Sequence, residues 1–296
     1  MNRCVSVGID GAAESMAAAQ WAAREALRRG RPLCLVHGWT WHPHPASSVP
    51  AGSTEHEVAV RTLSRAADSV RKAHPGLPVT ERLVPDSAVS ALLAAATDSD
   101  LLVLGSRGLG RVTGFVVGAV SQRVIARSPR PVVLVRAGET AADEHLPAVH
   151  GISPDEIGDT PYREVVLGLD TRHPCDELIE FAFAAARQYG TPLHVVHAFR
   201  PTAPHTADGR PVPWPEVLAA QERTVSAVLR PWRGKYTDVS VVETVSPERA
   251  AGALVQAARE ASLVVVGRRA ATNHVGAVTH ALLHHSPSPV AVVPHA

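Results

Sequence analysis

Short apolar runs and amphipathic stretches alternate along the chain. Cys4–Ile9 is an apolar run of the kind expected of a strand buried on both faces. From Glu14 to Arg29, Met16, Ala19, Ala22, Ala23, Ala26 and Leu27 recur at helical spacing, and Gly30 supplies the stop. Leu33–His37 is a second strand, and Trp41–Ser53 reads as a loop rich in Pro, His and Ser. Val58–Ala73 predicts a helix, Val79–Val84 a strand, Ala88–Ala96 a helix and Leu101–Leu104 a strand. A glycine-rich loop follows from Gly105 to Gly118, then a helix to about Arg127 and a last strand, Pro131–Val135. Strands alternating with helices imply a parallel sheet with right-handed crossovers.

The pattern occurs twice. Val5-Ser6-Val7-Gly8-Ile9-Asp10 resembles Val165-Val166-Leu167-Gly168-Leu169-Asp170. Arg29 to Gly38 lines up with Tyr189 to Ala198, Asp100 to Gly105 with Ser262 to Gly267, and Pro131 to Val135 with Pro289 to Val293. Four blocks in one order are the mark of a duplication. The second half is predicted to have strands at 165–169, 193–197, 239–245, 263–266 and 289–293, with helices at 175–188, 215–230, 249–260 and 276–285. The expected fold class is α/β: two flavodoxin- or Rossmann-like, doubly wound, parallel five-stranded sheets in tandem. Domain one is residues 1–137 and domain two residues 163–296. The polar, Pro- and Gly-dotted stretch 138–162 reads as a linker.

Composition narrows the class. The chain has 296 residues, 45% hydrophobic and 19% charged, enough for two cores and too apolar for disorder. Twenty-nine Lys and Arg stand against 28 Asp and Glu, so a nucleic-acid partner is not expected. No apolar run approaches the roughly 20 residues of a membrane span. The opening residues enter a strand pattern directly, which predicts no signal peptide and a cytoplasmic location. Cys4, Cys34 and Cys175 form no CxxC pair and fit a reducing compartment; Cys4 and Cys34 read as small buried hydrophobes.

The chemistry gathers where an open α/β sheet binds its ligands, beyond the carboxyl ends of the strands where strand order reverses. Asp10 follows strand one and could accept hydrogen bonds from a ribose or an adenine edge. After strand four come glycines 105, 108, 110 and 114, which let a backbone bend and approach a ligand closely. Gly118 opens a helix, whose free N–H groups and dipole favour an anion. Arg107 and Arg111 can add charge, and Ser121 a hydroxyl. This is a candidate phosphate cradle.

On these residues the chain resembles the universal stress protein family, whose nucleotide-binding members carry Gly-x2-Gly-x9-Gly-Ser/Thr. Here the motif is Gly105-x2-Gly108-x9-Gly118, with Ala119 in place of Ser/Thr. That loses a hydroxyl, keeps the backbone N–H and leaves Ser121 as partial compensation. The resemblance covers both halves. It implies Asp10 and the backbone near Val36 at the nucleoside end. It places Gly105, Arg107, Gly108, Gly118, Ala119, Val120 and Ser121 around the phosphates. The implied ligand is an adenine nucleotide, ATP, with or without Mg2+, and the implied role is stress-response regulation. Such domains pair, commonly through their last strands, here Pro131–Val135 and Pro289–Val293; the halves would pair with each other, and a homodimer is a further expectation.

The second-half equivalents are Asp170, Val196, Gly267 and Gly276. Ala270 stands where the second glycine belongs, and the Gly267–Gly276 loop is four residues shorter than Gly105–Gly118. Weak or no nucleotide binding is expected there. No Gly-x4-Gly-Lys-Ser/Thr, no pyrophosphatase-type Ser-Gly-Gly loop after strand one, no Gly-x-Ser-x-Gly and no general base beside the loop occur, so no catalytic residues are assigned. A slow ATPase or phosphotransferase and a nucleotide-free dimerising scaffold are the alternatives. Among the 16 histidines, His280 and His284 are four apart beside His285, without the Glu of a zinc HExxH. They read as surface or interface histidines, as do His42, His44 and His56, and no metal site is assigned. Trp39 and Trp41 read as packing residues near an adenine position, and Pro201–Pro215 as a connecting loop.

Overall fold

The computed structural model describes residues 3–40, 55–108, 115–147, 160–173, 175–200 and 212–296. The chain divides into two compact units, the first built on Met1–Ala141 and the second on Ala142–Ala271 with Gly276–Ala296.

In the first unit, β1 (Cys4–Gly8), β2 (Leu33–Gly38), β3 (Val79–Val84) and β4 (Ser99–Gly108) are joined by α1 (Ala13–Arg29), α2 (Glu55–Ala73) and α3 (Ala88–Thr97). After β4 come a two-residue strand β5 (Phe115–Val116), α4 (Ala119–Arg127) and β6 (Val132–Arg136). The order is β3-β2-β1-β4-β6, all parallel. The chain reverses direction across the sheet between β1 and β4, which creates the switch point. Val5 and Val7 are fully buried, as are Leu101, Leu102 and Val103 of β4.

α1 sets this geometry. Its inward face is small, with Ala18, Ala19, Ala22, Ala23 and Ala26 fully buried beside Trp21. Small side chains let the helix axis approach the sheet. At Gly105 the approach is closest: a Cβ there would lie 2.6 Å from the backbone carbon and oxygen of Glu14. The helix ends at Gly30, in the left-handed region at φ 59°. Glu25, buried in its fourth turn, is held by Arg28 Nε at 3.0 Å and by Arg29.

The second unit repeats the plan. β7 (Glu164–Gly168), β8 (Leu193–Ala198), β9 (Val241–Ser246), β10 (Ala261–Arg269) and β11 (Val290–His295) alternate with α6 (Asp176–Tyr189), α7 (Trp214–Lys235), α8 (Ala250–Ala257) and α9 (Ala277–His285). The order is β9-β8-β7-β10-β11, again parallel. The registers repeat: Gly8 pairs with Val36 and Gly168 with Val196, while Gly105 pairs with Val135 and Gly267 with Val293. The tandem doubly wound α/β architecture expected from the sequence is the one observed.

Two elements differ from the sequence-based expectation. β4 runs past Leu104 to Gly108 and pairs antiparallel with β5, Arg107 opposite Val116. The first part of the glycine-rich segment is therefore extended ladder rather than loop. The ends of the expected linker are also built in. α5 (Ala141–Glu144) is one helical turn, and His145 bridges Tyr162 with ring centroids 4.0 Å apart. Arg163 Nε donates to the His145 carbonyl at 2.8 Å. Polar composition concealed this because the bonds are backbone-mediated; residues 148–159 of that stretch lie outside the described residues. α6, expected at 175–188, runs Asp176–Tyr189.

The three thiols are free. The adjacent Cys4 sulfur and burial both push Cys34 upward, and burial with the carboxylates of Asp176, Asp170 and Glu177 pushes Cys175 to about 11. Cys4 is half-buried, 3.5 Å from Ser6 Oγ and 3.6 Å from Ser99 Oγ.

This packing makes the glycines and thiols unequal. Gly105→Ala drives a methyl into backbone that cannot step aside, and urea denaturation should show a loss of about 1–3 kcal/mol. Gly30→Ala, with nothing within 4 Å of the new Cβ, should lose only about 1 kcal/mol from its left-handed backbone. Iodoacetamide mapping of the native protein at pH 8 should label Cys4 first, with Cys34 and Cys175 reacting only on unfolding.

Candidate functional site

The site is built on the turn after β1. Ile9 N–H donates to the Val36 carbonyl at 2.9 Å, holding the end of β1 to β2. Asp10 then leaves the sheet and is exposed. Its Oδ1 accepts the Ala12 N–H at 3.0 Å, its own N–H donates to Ser15 Oγ at 3.3 Å, and Ser15 Oγ donates to the Ala12 carbonyl at 2.9 Å. These bonds fix the carboxylate at the mouth of the switch point. Among the described residues nothing bonds Asp10 Oδ2, so it can accept donors from a ligand.

On the other side of the switch point is the tip of α4. Gly118 is its N-cap, extended at φ −60° and ψ 151°, and no side chain caps the helix. Ala119 and Val120 are exposed behind it. The first N–H groups of a helix have no partner within it, so an uncapped and exposed tip presents donors and positive potential to an anion. Ser121 is turned inward: the residue is 8% exposed, and its hydroxyl donates to the Gly105 carbonyl at 3.5 Å. That bond ties α4 to β4, so in this state the hydroxyl is engaged with the protein.

The other expected site residues have more varied surroundings. Gly105 sits at the switch point, where its lack of a side chain admits α1. Arg107 and Gly108 lie on the end of β4 opposite Val116 and Phe115. Gly110, Arg111 and Gly114 lie outside the described residues. Val36 is buried, and its carbonyl is used by Ile9; the next residues, His37 and Gly38, are less buried. Trp39 packs edge-on against His56 at 5.1 Å, while Trp41, His42 and His44 lie outside the described residues. His280 and His284 bring their rings to 4.4 Å on α9. Among the described residues no group of three or more metal-ligating side chains forms.

Two residues of the site went unnoticed in the sequence. His37 Nδ1 bonds the carbonyl of Ile9, and His197 Nδ1 bonds the carbonyl of Leu169 at 2.9 Å. Each imidazole locks the residue before the aspartate. Their alignment in the two repeats was the available signal. Ser106, next to Gly105, is 1% exposed, and its hydroxyl has no hydrogen-bond partner among the described residues.

The second half keeps the scaffold and changes the chemistry. Gly276 caps α9 as Gly118 caps α4, again without a side-chain cap. Thr279 Oγ1 donates to the Gly267 carbonyl at 3.2 Å, the counterpart of the Ser121 bond. The Val196 carbonyl accepts the Leu169 N–H at 3.0 Å. At Gly267, however, the place of a Cβ is bounded by the ring of His295, Nε2 at 2.6 Å, instead of by helix backbone. Arg268 replaces the small Ser106 and is 5% exposed, with its pKa held below the usual range by burial. Asp170 accepts Arg172 Nη2 at 2.7 Å and Nε at 2.8 Å, and these bonds hold its carboxyl below the usual carboxylate range.

Comparison with known proteins agrees with this fold. The universal stress protein family model matches residues 1–136 and 161–294, one match for each half. A universal stress protein of Mycobacterium tuberculosis is 30% identical over 303 residues, covering 97% of this chain and 96% of that protein. Another from the same organism is 29% identical over 285 residues, covering 92% and 88%. The crystal structure of a universal stress protein from Archaeoglobus fulgidus superposes with a TM-score of 0.70 over the full length of both chains, at 16% identity, which is a likeness of fold. No helix among the described residues is long and apolar enough to cross a membrane. With the family matched twice and the doubly wound sheet present twice, this chain belongs to the universal stress protein family, in tandem form.

Proposed function

We propose that the first half binds an adenine nucleotide, ATP with or without Mg2+, and that occupancy regulates partner binding in a stress response. The observation that carries this reading is the pairing of two opposite features at one switch point. The exposed, uncapped tip of α4 at Gly118 offers donors to phosphate. The free oxygen of Asp10 offers an acceptor to sugar hydroxyls or to the base. A nucleotide has an anionic end and a donor-rich end, and it complements that arrangement.

The site residues divide by role. Gly105, Arg107, Gly108, Gly118, Ala119 and Val120 lie along the phosphate path, with Ser121 bracing it through the Gly105 carbonyl. Asp10 and the β2 end near Val36 lie at the nucleoside end. The second half, with its shorter loop and engaged Asp170, contributes little to binding. No side chain among these is placed as a general base for phosphoryl transfer, so the reading is of a binding protein and not an enzyme.

Mass spectrometry of small molecules released on denaturing the purified protein should find an adenine nucleotide at about one per chain. Asp10→Asn removes a charge-assisted acceptor worth about 1.5–3 kcal/mol, so ATP affinity should fall on the order of tenfold or more. Gly118→Val, which crowds the helix tip, should do the same. Linear phosphate release that Gly118→Val abolishes would favour the ATPase reading. No released nucleotide and no thermal shift with ATP would favour the scaffold.

A further inference from the structure

Arg172 occupies, from within the chain, the group that the first half leaves to a ligand. Both aspartates open the same turn. Asp10 Oδ1 accepts the N–H of Ala12 two residues on, and Asp170 Oδ1 accepts the N–H of Arg172 in the same way at 3.1 Å. The residue that donates this N–H differs between the halves, Ala12 in the first and Arg172 in the second. Ala12 has nothing to return to the carboxylate. Arg172 folds back on it as a fork, Nε to Oδ1 at 2.8 Å and Nη2 to Oδ2 at 2.7 Å. Both oxygens of Asp170 are thereby engaged, whereas among the described residues one oxygen of Asp10 is not. The fork is local, two residues apart, so closing it orders little chain, and its planar donors match a carboxylate.

The rest of the second switch point is compatible with a nucleoside. His197 fixes the Leu169 carbonyl as His37 fixes that of Ile9. Beyond it, His197, Phe199 and Trp214 form a ladder of rings, 6.2 Å and 5.9 Å apart and within 17° of parallel, ending at the exposed Trp214. Such a ring suits a planar base.

We propose that Arg172 is the specificity determinant of the second half, an internal competitor that keeps Asp170 from the sugar of a nucleoside. The proposal rests on the reading that Asp10 serves this role in the first half. It implies that removing the Arg172 side chain frees Asp170 for a ligand, and that an arginine at position 12 engages Asp10.

Adenosine is the suitable probe, since it has no phosphates and does not register the shorter second loop. Isothermal titration of the full chain should give one adenosine per wild-type chain. Arg172→Ala should raise second-half affinity about fivefold, the scale of one well-formed exposed ion pair, and make a second equivalent measurable. Arg172→Lys, which keeps the charge and loses the fork, should fall between. Asp170→Asn added to Arg172→Ala should remove the gain. Ala12→Arg should weaken the first half by a similar factor; its position is extended backbone at φ −73°, which any residue adopts. Circular dichroism confirms folding of each variant. Arg172→Ala without a gain, or with a gain that Asp170→Asn leaves intact, overturns the proposal. If the wild type binds no adenosine, the first-half reading fails, and a second-half gain in Arg172→Ala still upholds the role of Arg172.

Discussion

The seat of α1 on β4 is the contact on which the first half depends. Gly105 lacks a side chain, and the backbone of Glu14 and Ser15 occupies the space one would take. That approach holds β1 beside β4 and so places the reversal of strand order there. It shortens the path from Ile9 to the first turn of α1, so Asp10 must sit in a tight, hydrogen-bonded turn at the sheet edge. The same glycine presents its carbonyl to Ser121, which anchors α4 with its tip toward that edge. One missing methyl therefore positions both the acceptor and the helix terminus.

In the second half that seat is altered, and the rim alters with it. α6 starts at Asp176, three residues later than α1 does in the first repeat. The imidazole of His295 fills the space over Gly267, where the first half has only Ala137 at the matching position after its last strand. In the turn after β7, Arg172 closes on Asp170. The strand registers are untouched, because they are set by apolar residues shared by both repeats. Duplication kept the core and let the rim diverge.

Much of this was legible in the sequence, for physical reasons. Buried parallel strands must be apolar on both faces, so β1, β4 and their repeats stand out as short apolar runs. Gly30 and Gly190 mark helix ends because a left-handed cap favours glycine. Asp10 and Gly118 were legible because spacing places them at strand and helix termini. The role of Gly105 was not: glycine before a loop suggests ligand approach, and only the packed helix shows that it admits protein. The pairing of β5 with β4 and the bridge of His145 to Tyr162 were hidden, since both are backbone bonds that leave no side-chain pattern. The inward turn of Ser121 was hidden as well, because a hydroxyl in a first helical turn serves a carbonyl or an anion equally well.

The most direct test of this account is a crystal structure of the protein with ATP. The account predicts phosphate density against the backbone N–H groups at Gly118 and Ala119, the nucleoside end at Asp10, and a second switch point still held by the Arg172–Asp170 fork. Equal occupancy of both halves, or an unoccupied first switch point at saturating ATP, would contradict it.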